Sequence, residues 1–185
     1  MRIVAGSARG RALTGPKATS KHIRPTADRV RESLFNVLGQ WFEGQKVLDL
    51  FAGTGALGLE AVSRGAMRVV LVDSDREAQE LCRSNAEALG FTPRVEVLGQ
   101  TVERALAALG KREDRYQIIF ADPPYAARVV ETVLEAVARH GVLAPGGTVV
   151  VEHDKREPAP ESHAGFTQVD QRRFGDTLVT LFRIP

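Results

Sequence analysis

From Lys46 onward the chain alternates short apolar runs with helix-period segments, and this alternation restricts the possible folds more than any other feature. "KVLDLF", "RVVLVDSD", "RVEVLG", "YQIIFADPPY" and "GGTVVVEH" read as five strands. Between them lie "GALGLEAVSRG", closed by Gly65, and "REAQELCRSNAEALG", closed by Gly90. "TVERALAALG", capped by Thr101 and ended by Gly110, and "ARVVETVLEAVARHG" complete the helices. Helices are placed by their apolar spacing and their glycine stops. Strict β/α alternation produces a parallel sheet covered by helices on both faces. The strand order expected is 3-2-1-4-5, with a ligand crevice at the carboxyl ends of the strands where the order reverses. After a Pro- and charge-rich loop, Lys155 to His163, the period becomes two. "FTQVDQRR" and "DTLVTLFRI" flank Phe174-Gly175 as an antiparallel hairpin.

The first 45 residues follow a different pattern. "RIVAGSARGRALTGP" predicts a short hairpin turning through Gly6 and Gly10. After a polar link, Thr26 is the expected N-cap of a helix, with Asp28 in its first turn and an apolar face of Val30, Leu34, Phe35, Val37 and Leu38. Residues 1–45 are therefore read as a basic extension and 46–185 as the main domain. The extension holds eight Lys/Arg against three acids, a net +5, whereas the other residues hold 17 against 20, a net −3. A basic arm on a nearly neutral body suggests a polyanionic partner such as nucleic acid.

Composition narrows the class. At 185 residues and 43% hydrophobic, the chain can bury one substantial core. No apolar run approaches membrane-spanning length and no leader pattern precedes the first strand, so a cytoplasmic location is expected. One cysteine, Cys82, excludes an intramolecular disulfide, and His22, His140, His153 and His163 lack ligand-like spacing, so no metal is expected.

Two segments carry chemistry. Gly53-Thr54-Gly55-Ala56-Leu57-Gly58 matches the nucleotide-binding pattern G-x-G-x-x-G between a strand and a helix, and Asp73 lies 20 residues beyond Gly53. Asp49, four residues before Gly53, separates the candidate ligands. A dinucleotide would bring its pyrophosphate to this helix start, where a fixed carboxylate repels it. S-adenosylmethionine carries an ammonium and a sulfonium that Asp49 would attract, and Asp73 can accept from the ribose hydroxyls of either ligand.

The second segment, "ADPPY", ends the fourth strand on Asp122, Pro123, Pro124 and Tyr125. Two prolines cannot extend a hydrogen-bond ladder, and they hold the preceding residue extended. A carboxylate and a rigid proline carbonyl can accept both N–H bonds of an exocyclic amine and turn its lone pair toward a methyl donor, while Tyr125 offers a stacking face.

Together "DLFAGTGALGLEA", Asp73 and "DPPY" resemble the motifs of amino-group methyltransferases that use S-adenosylmethionine. With "RIVAGSARGRALTGP" and "IRPTADRVRESLFN", nearly the whole chain resembles the RsmD-type methyltransferases, which modify guanine N2 in bacterial 16S ribosomal RNA. The resemblance implies a Rossmann-like class I α/β fold: a mostly parallel seven-stranded sheet with an inserted antiparallel last strand, plus the N-terminal hairpin and helix. It also implies donor contacts from Asp49, Gly53, Gly55, Gly58 and Asp73, and a target-base site of Asp122, Pro123 and Tyr125. The "RPTADRVRE" helix would approach the donor's methionine end through Thr26 and Arg29. Where related enzymes place an acid or asparagine after the third strand, this chain has "LGQTVE", which leaves Gln100 or a backbone group to meet the adenine. Arg2, Arg9, Arg11, Lys17 and Lys21 would hold RNA phosphates. Glu152 and His153, ending the fifth strand, are candidates to line the pocket, and a structural or solvent-facing role is favoured over that for both. The expected partner is 16S ribosomal RNA or an assembling small subunit, with no membrane; the sequence leaves the oligomeric state open, a monomer being favoured. A DNA adenine-N6 or cytosine-N4 methyltransferase, a non-catalytic RNA-binding protein and an NAD-dependent oxidoreductase stand as the alternatives.

Overall fold

The computed structural model describes residues 1–17, 28–124 and 128–185. Helix α1 is Asp28–Leu38, followed by β1 (Lys46–Leu50), α2 (Ala56–Ser63), β2 (Arg68–Val72) and α3 (Arg76–Leu89). Then come β3 (Val95–Leu98), α4 (Val102–Lys111), β4 (Tyr116–Ala121), α5 (Val129–His140) and β5 (Leu143–Asp154). The chain closes with β6 (Ser162–His163), β7 (Phe166–Phe174) and β8 (Thr177–Arg183). One sheet runs β3-β2-β1-β4-β5-β8-β7-β6. Strands β1 to β5 pair in parallel, and β8 enters antiparallel between β5 and β7. The expected order and inserted last strand are both present. The eighth strand is the two-residue β6, paired to the edge of β7.

Two apolar layers sandwich this sheet. One joins Val47, Val69, Ile118, Phe120 and Val150 to α1, α2, α3 and the amino-terminal arm. The other joins Leu48, Val70, Ile119 and Val151 to α4 and α5. Alternate residues of each strand serve opposite layers, as pleating requires.

Local chemistry explains the boundaries. The Asp75 carboxylate caps α3 by accepting from the Ala78 N–H, and Gly90 closes that helix at φ 74°. Thr101 caps α4 as expected. Gly110 does not end α4, which continues to Lys111; a Cβ there would lie 2.7 Å from the His140 carbonyl oxygen. Gly110 lets α4 and α5 approach, so its role is packing. Val37 is solvent-exposed, because the face of α1 turned to the sheet is completed by Val30, Leu34, Phe35 and Leu38. Phe174 belongs to β7 and pairs with Thr177, so the hairpin turn is Gly175-Asp176.

Among the described residues, the predicted amino-terminal hairpin is reduced to a bridge between Arg2 and Ala12, and this segment docks through buried polar groups. Glu60 of α2 is fully buried and accepts from the Val4 and Ala5 N–H groups at 2.8 and 2.9 Å and from Arg64 at 2.9 Å. Arg64 also lies 4.6 Å over the Phe35 ring. Ser63 bonds Ala5 and Ala8, and Arg31 of α1 donates to the Arg2 carbonyl. Gly6, at φ 82°, sits so close that a Cβ would meet the Ser63 carbonyl oxygen at 1.9 Å. A helix buried all round needs such a cover: every residue of α2 is buried.

Candidate active site

The glycine loop after β1 is held from every side. Phe51 adopts φ 61°, a left-handed conformation that is rare for a bulky residue and is tolerated where the surroundings enforce it. The Ala52 N–H donates to the Val72 carbonyl. Gly53 (φ 56°) donates to Asp73 Oδ2 at 2.9 Å, and its carbonyl accepts from the Cys82 thiol. Asn85 of α3 donates to the Thr54 and Thr14 carbonyls while its own oxygen accepts from the Thr14 N–H. The Thr54 hydroxyl faces the Met1 sulfur at 3.8 Å. Asn85 thus ties the arm to the loop. Neither it nor Phe51 stands out by pattern, since both act through contacts distant in sequence.

The three pattern glycines divide the work. Gly55, at φ 77°, donates to the Ala52 carbonyl and forms the turn into α2. Gly58 faces β2, where a Cβ would lie 2.4 Å from Leu71 Cδ2 and 2.8 Å from Val69 Cγ1. It therefore permits helix–strand contact, the third-glycine role of such loops.

Asp49 is 2% exposed, and its Oδ2 accepts from the Gly58 N–H at 2.9 Å. Burial pushes its carboxyl up from 3.8 to about 7; the Gly58 N–H opposes this and the nearby Asp73 charge adds to it. Asp73 follows β2 and also accepts from the Asp75 N–H. An ionised carboxylate has about four lone-pair sites, which leaves acceptor capacity after two such bonds. The Gln79 amide steadies the Asp73 carbonyl. Gln100, half-buried after β3, donates its N–H to the Leu98 carbonyl, which also receives the Asp73 N–H. Gln100 and Asp73 thus share one corner of the sheet edge.

Strand register brings the second motif to the same edge. Leu50 of β1 pairs with Ala121 of β4, so Asp122 is the next residue beyond that pair, beside the start of the glycine loop. Asp122 is half-buried, Pro123 is buried and Pro124 is exposed. Ala121 in turn pairs with Val151, and the next register position of β5 is Glu152. Glu152 lines a small cavity with Phe120 and Val150 beneath Val30 and Leu34 of α1 and Leu57 of α2. Its neighbour His153 is buried, with Nδ1 on the Glu157 carbonyl and Nε2 on the Thr180 hydroxyl. A carbonyl only accepts, so Nδ1 carries the proton; burial also holds this imidazole below its usual range. The structural reading of His153 holds. Glu152 instead faces the cavity.

The remaining residues are spread more widely. Arg29 is exposed on α1 and Arg9 is exposed on the arm. Arg2 donates to the Gly10 carbonyl. Arg11 donates to the Ala88 and Leu89 carbonyls, where a cation also complements the α3 dipole. Lys17 is exposed, and its backbone N–H meets the Glu77 carboxylate. Thr26, Lys21 and Tyr125 lie outside the described residues. Among the described residues no three metal-ligating side chains cluster, and no helix is long and apolar enough to cross a membrane.

A family model described as "Conserved hypothetical protein 95" matches residues 1–183. The chain belongs to this family. Bacillus subtilis (strain 168) YlbH is 38% identical over 183 residues, covering 99% of this chain and 98% of that protein. Ribosomal RNA small subunit methyltransferase D of Escherichia coli (strain K12) is 33% identical over 184 residues, covering 99% and 89%. The solved structure of Escherichia coli yhhF superposes with a TM-score of 0.85 at 32% identity, over 98% of this chain and 96% of that one. Membership of the Conserved hypothetical protein 95 family thus extends over the arm as well as the sheet.

Proposed function

We propose that this protein transfers a methyl group from S-adenosylmethionine to the exocyclic N2 of a guanine in bacterial small-subunit ribosomal RNA. The observation that carries this reading is the β1–β4 register, which sets the Asp122-Pro123 corner beside the glycine loop. The relative named small subunit methyltransferase D supports the RNA substrate. A structure sharing the fold, SMU.776, was solved in complex with SAH (TM-score 0.66, 20% identity, 83% of this chain and 48% of that one).

The residues present fit the donor. Its amino-acid head is cationic and its ribose carries hydroxyls. The loop offers two carboxylates and two glycines at positive φ, 56° at Gly53 and 77° at Gly55. S-adenosylmethionine supplies a methyl group on a sulfonium, which leaves as a neutral thioether. Asp49 meets the ammonium end, Asp73 the ribose, and Gln100 the adenine. Arg29 and Thr26 contribute near the methionine end. Asp122 and the Pro123 carbonyl accept the two N–H bonds of the guanine amine, so its lone pair points at the methyl carbon. As the N–C bond forms, Asp122 takes the proton that the nitrogen releases. Tyr125 stacks on the base, and Arg2, Arg9, Arg11, Lys17 and Lys21 contribute positive charge toward RNA phosphates.

Asp49 makes donor binding depend on pH. The donor's ammonium favours the ionised carboxylate, whereas without donor the carboxyl holds its proton up to about 7. Affinity is therefore expected to fall as pH drops below about 7, approaching about tenfold per unit, with one proton released on binding. Without donor the sign for folding is opposite: stability declines as pH rises from the unfolded value of 3.8 through about 7. Calorimetry with S-adenosylhomocysteine at several pH values checks this, and Asp49→Asn should flatten the profile.

The function itself is tested by incubating small subunits from cells lacking the protein with labelled donor, followed by nucleoside analysis. Labelled N2-methylguanosine is the expected product. Label in DNA as N6-methyladenine, with none in RNA, would reject the proposal.

A further inference from the structure

We infer that Glu152 is the specificity-determining residue of the target site, accepting the ring N1–H of the guanine whose N2 faces Asp122. The inference rests on the proposed function and adds the reason that guanine is chosen.

Placement comes first. Phe120 pairs with Val150 and Ala121 with Val151, so Glu152 of β5 stands one position past the last pair, alongside Asp122, the residue that follows β4. Neighbouring strands lie about 4.8 Å apart, a spacing from which two side chains can bracket one edge of a purine. Glu152 also lines the cavity between α1 and the sheet, with Phe120 and Leu34. Its strand end is fixed by His153, whose two ring nitrogens bind Glu157 and Thr180 from the neighbouring loop and β8.

The environment of Glu152 is the second observation. It is half-buried among apolar side chains, and burial pushes its carboxyl upward. Among the described residues its carboxylate receives neither a hydrogen bond nor an ion pair. A carboxylate held in such surroundings without a protein donor is a poor contributor to stability and a good receiver for a ligand N–H.

Base chemistry then selects the ligand. In guanine the exocyclic amine adjoins a ring N–H, so two donors stand side by side. In adenine and cytosine the ring nitrogen beside the amine is an acceptor. A second carboxylate next to the amine site therefore attracts guanine and repels the other two. Asp122 with Pro123 can hold any exocyclic amine; Glu152 distinguishes which base carries it.

The test uses small subunits reconstituted around a ligated ribosomal RNA with guanine or 2,6-diaminopurine at the methylated position. Diaminopurine keeps the N2 amine and lacks the N1–H. Wild-type protein is expected to favour guanine in kcat/KM by about 10–100-fold. Glu152→Gln should lower kcat/KM on guanine and bring the ratio toward one, because its amide can donate to the bare N1. Its affinity for S-adenosylhomocysteine should remain that of the wild type. Glu152→Asp, which keeps the charge, should keep the preference at a reduced rate. A wild-type ratio near one would overturn the inference even if Glu152→Gln failed to fold. So would a Glu152→Gln ratio equal to that of the wild type. Failure of the wild-type protein to methylate guanine N2 in the unmodified particle would instead remove the proposed function, and this inference with it.

Discussion

Asp122→Ala is expected to lower kcat for methyl transfer by about 10²–10³-fold while leaving the affinity for S-adenosylhomocysteine nearly unchanged. An aromatic amine is a weak nucleophile because its lone pair is delocalised into the ring. Acceptors fixed in advance lower the cost of localising that pair as positive charge develops on nitrogen. Asp122 stands beyond the end of β4, and buried Pro123 follows it, so neither belongs to the ladder between β1 and β4. The glycine loop is tied by other groups: Asp73 accepts from the Gly53 N–H and Asp49 from the Gly58 N–H. Single-turnover kinetics and calorimetry on one preparation separate the two effects. A matching loss of donor affinity would place Asp122 in the donor site and contradict the division of roles.

Gly55→Val should produce the opposite phenotype: loss of donor binding, with a fall in melting temperature of about 5–15 °C. At φ 77° a residue with a Cβ pays about 1–2 kcal/mol for left-handed geometry. Its Cβ would also press on Leu71 at 3.1 Å, Leu59 at 3.3 Å and Cys82 at 3.4 Å. Overpacking of this kind adds about 1–3 kcal/mol. The two methyl groups of valine extend this pressure to the loop, whose N–H groups and carbonyls meet Asp73, Cys82 and Asn85. Thermal unfolding with and without S-adenosylhomocysteine is the measurement: the ligand should raise the wild-type midpoint and leave that of Gly55→Val where it was. A normal ligand shift in the variant would show that the loop accommodates a side chain.

These two positions were legible before any coordinates because each is a local exception. A glycine between a strand and a helix, and a proline pair ending a strand, depart from the residues around them. The same holds for the alternation that defines five parallel strands, for the Thr101 cap and for the Gly90 stop. All are written in periods or neighbours a few residues apart, and backbone sterics and hydrogen bonding act at that range.

What the tertiary structure decided lies at longer range. Gly110 reads as a helix stop and proves to be the place where α4 meets α5. Glu60 carries no signal in the sequence and is the buried anchor of the arm. Arg11 reads as a contact for RNA phosphates, and the structure adds its bonds to the Ala88 and Leu89 carbonyls at the end of α3. Glu152 reads as a strand-end acid, and the register of β4 and β5 sets it just beyond the Ala121–Val151 pair, on the side of Asp122. Local periods determined the elements and their order. Which side chains lose water, and which acid faces which, depends on register and packing between segments tens of residues apart, and no short-range pattern encodes that.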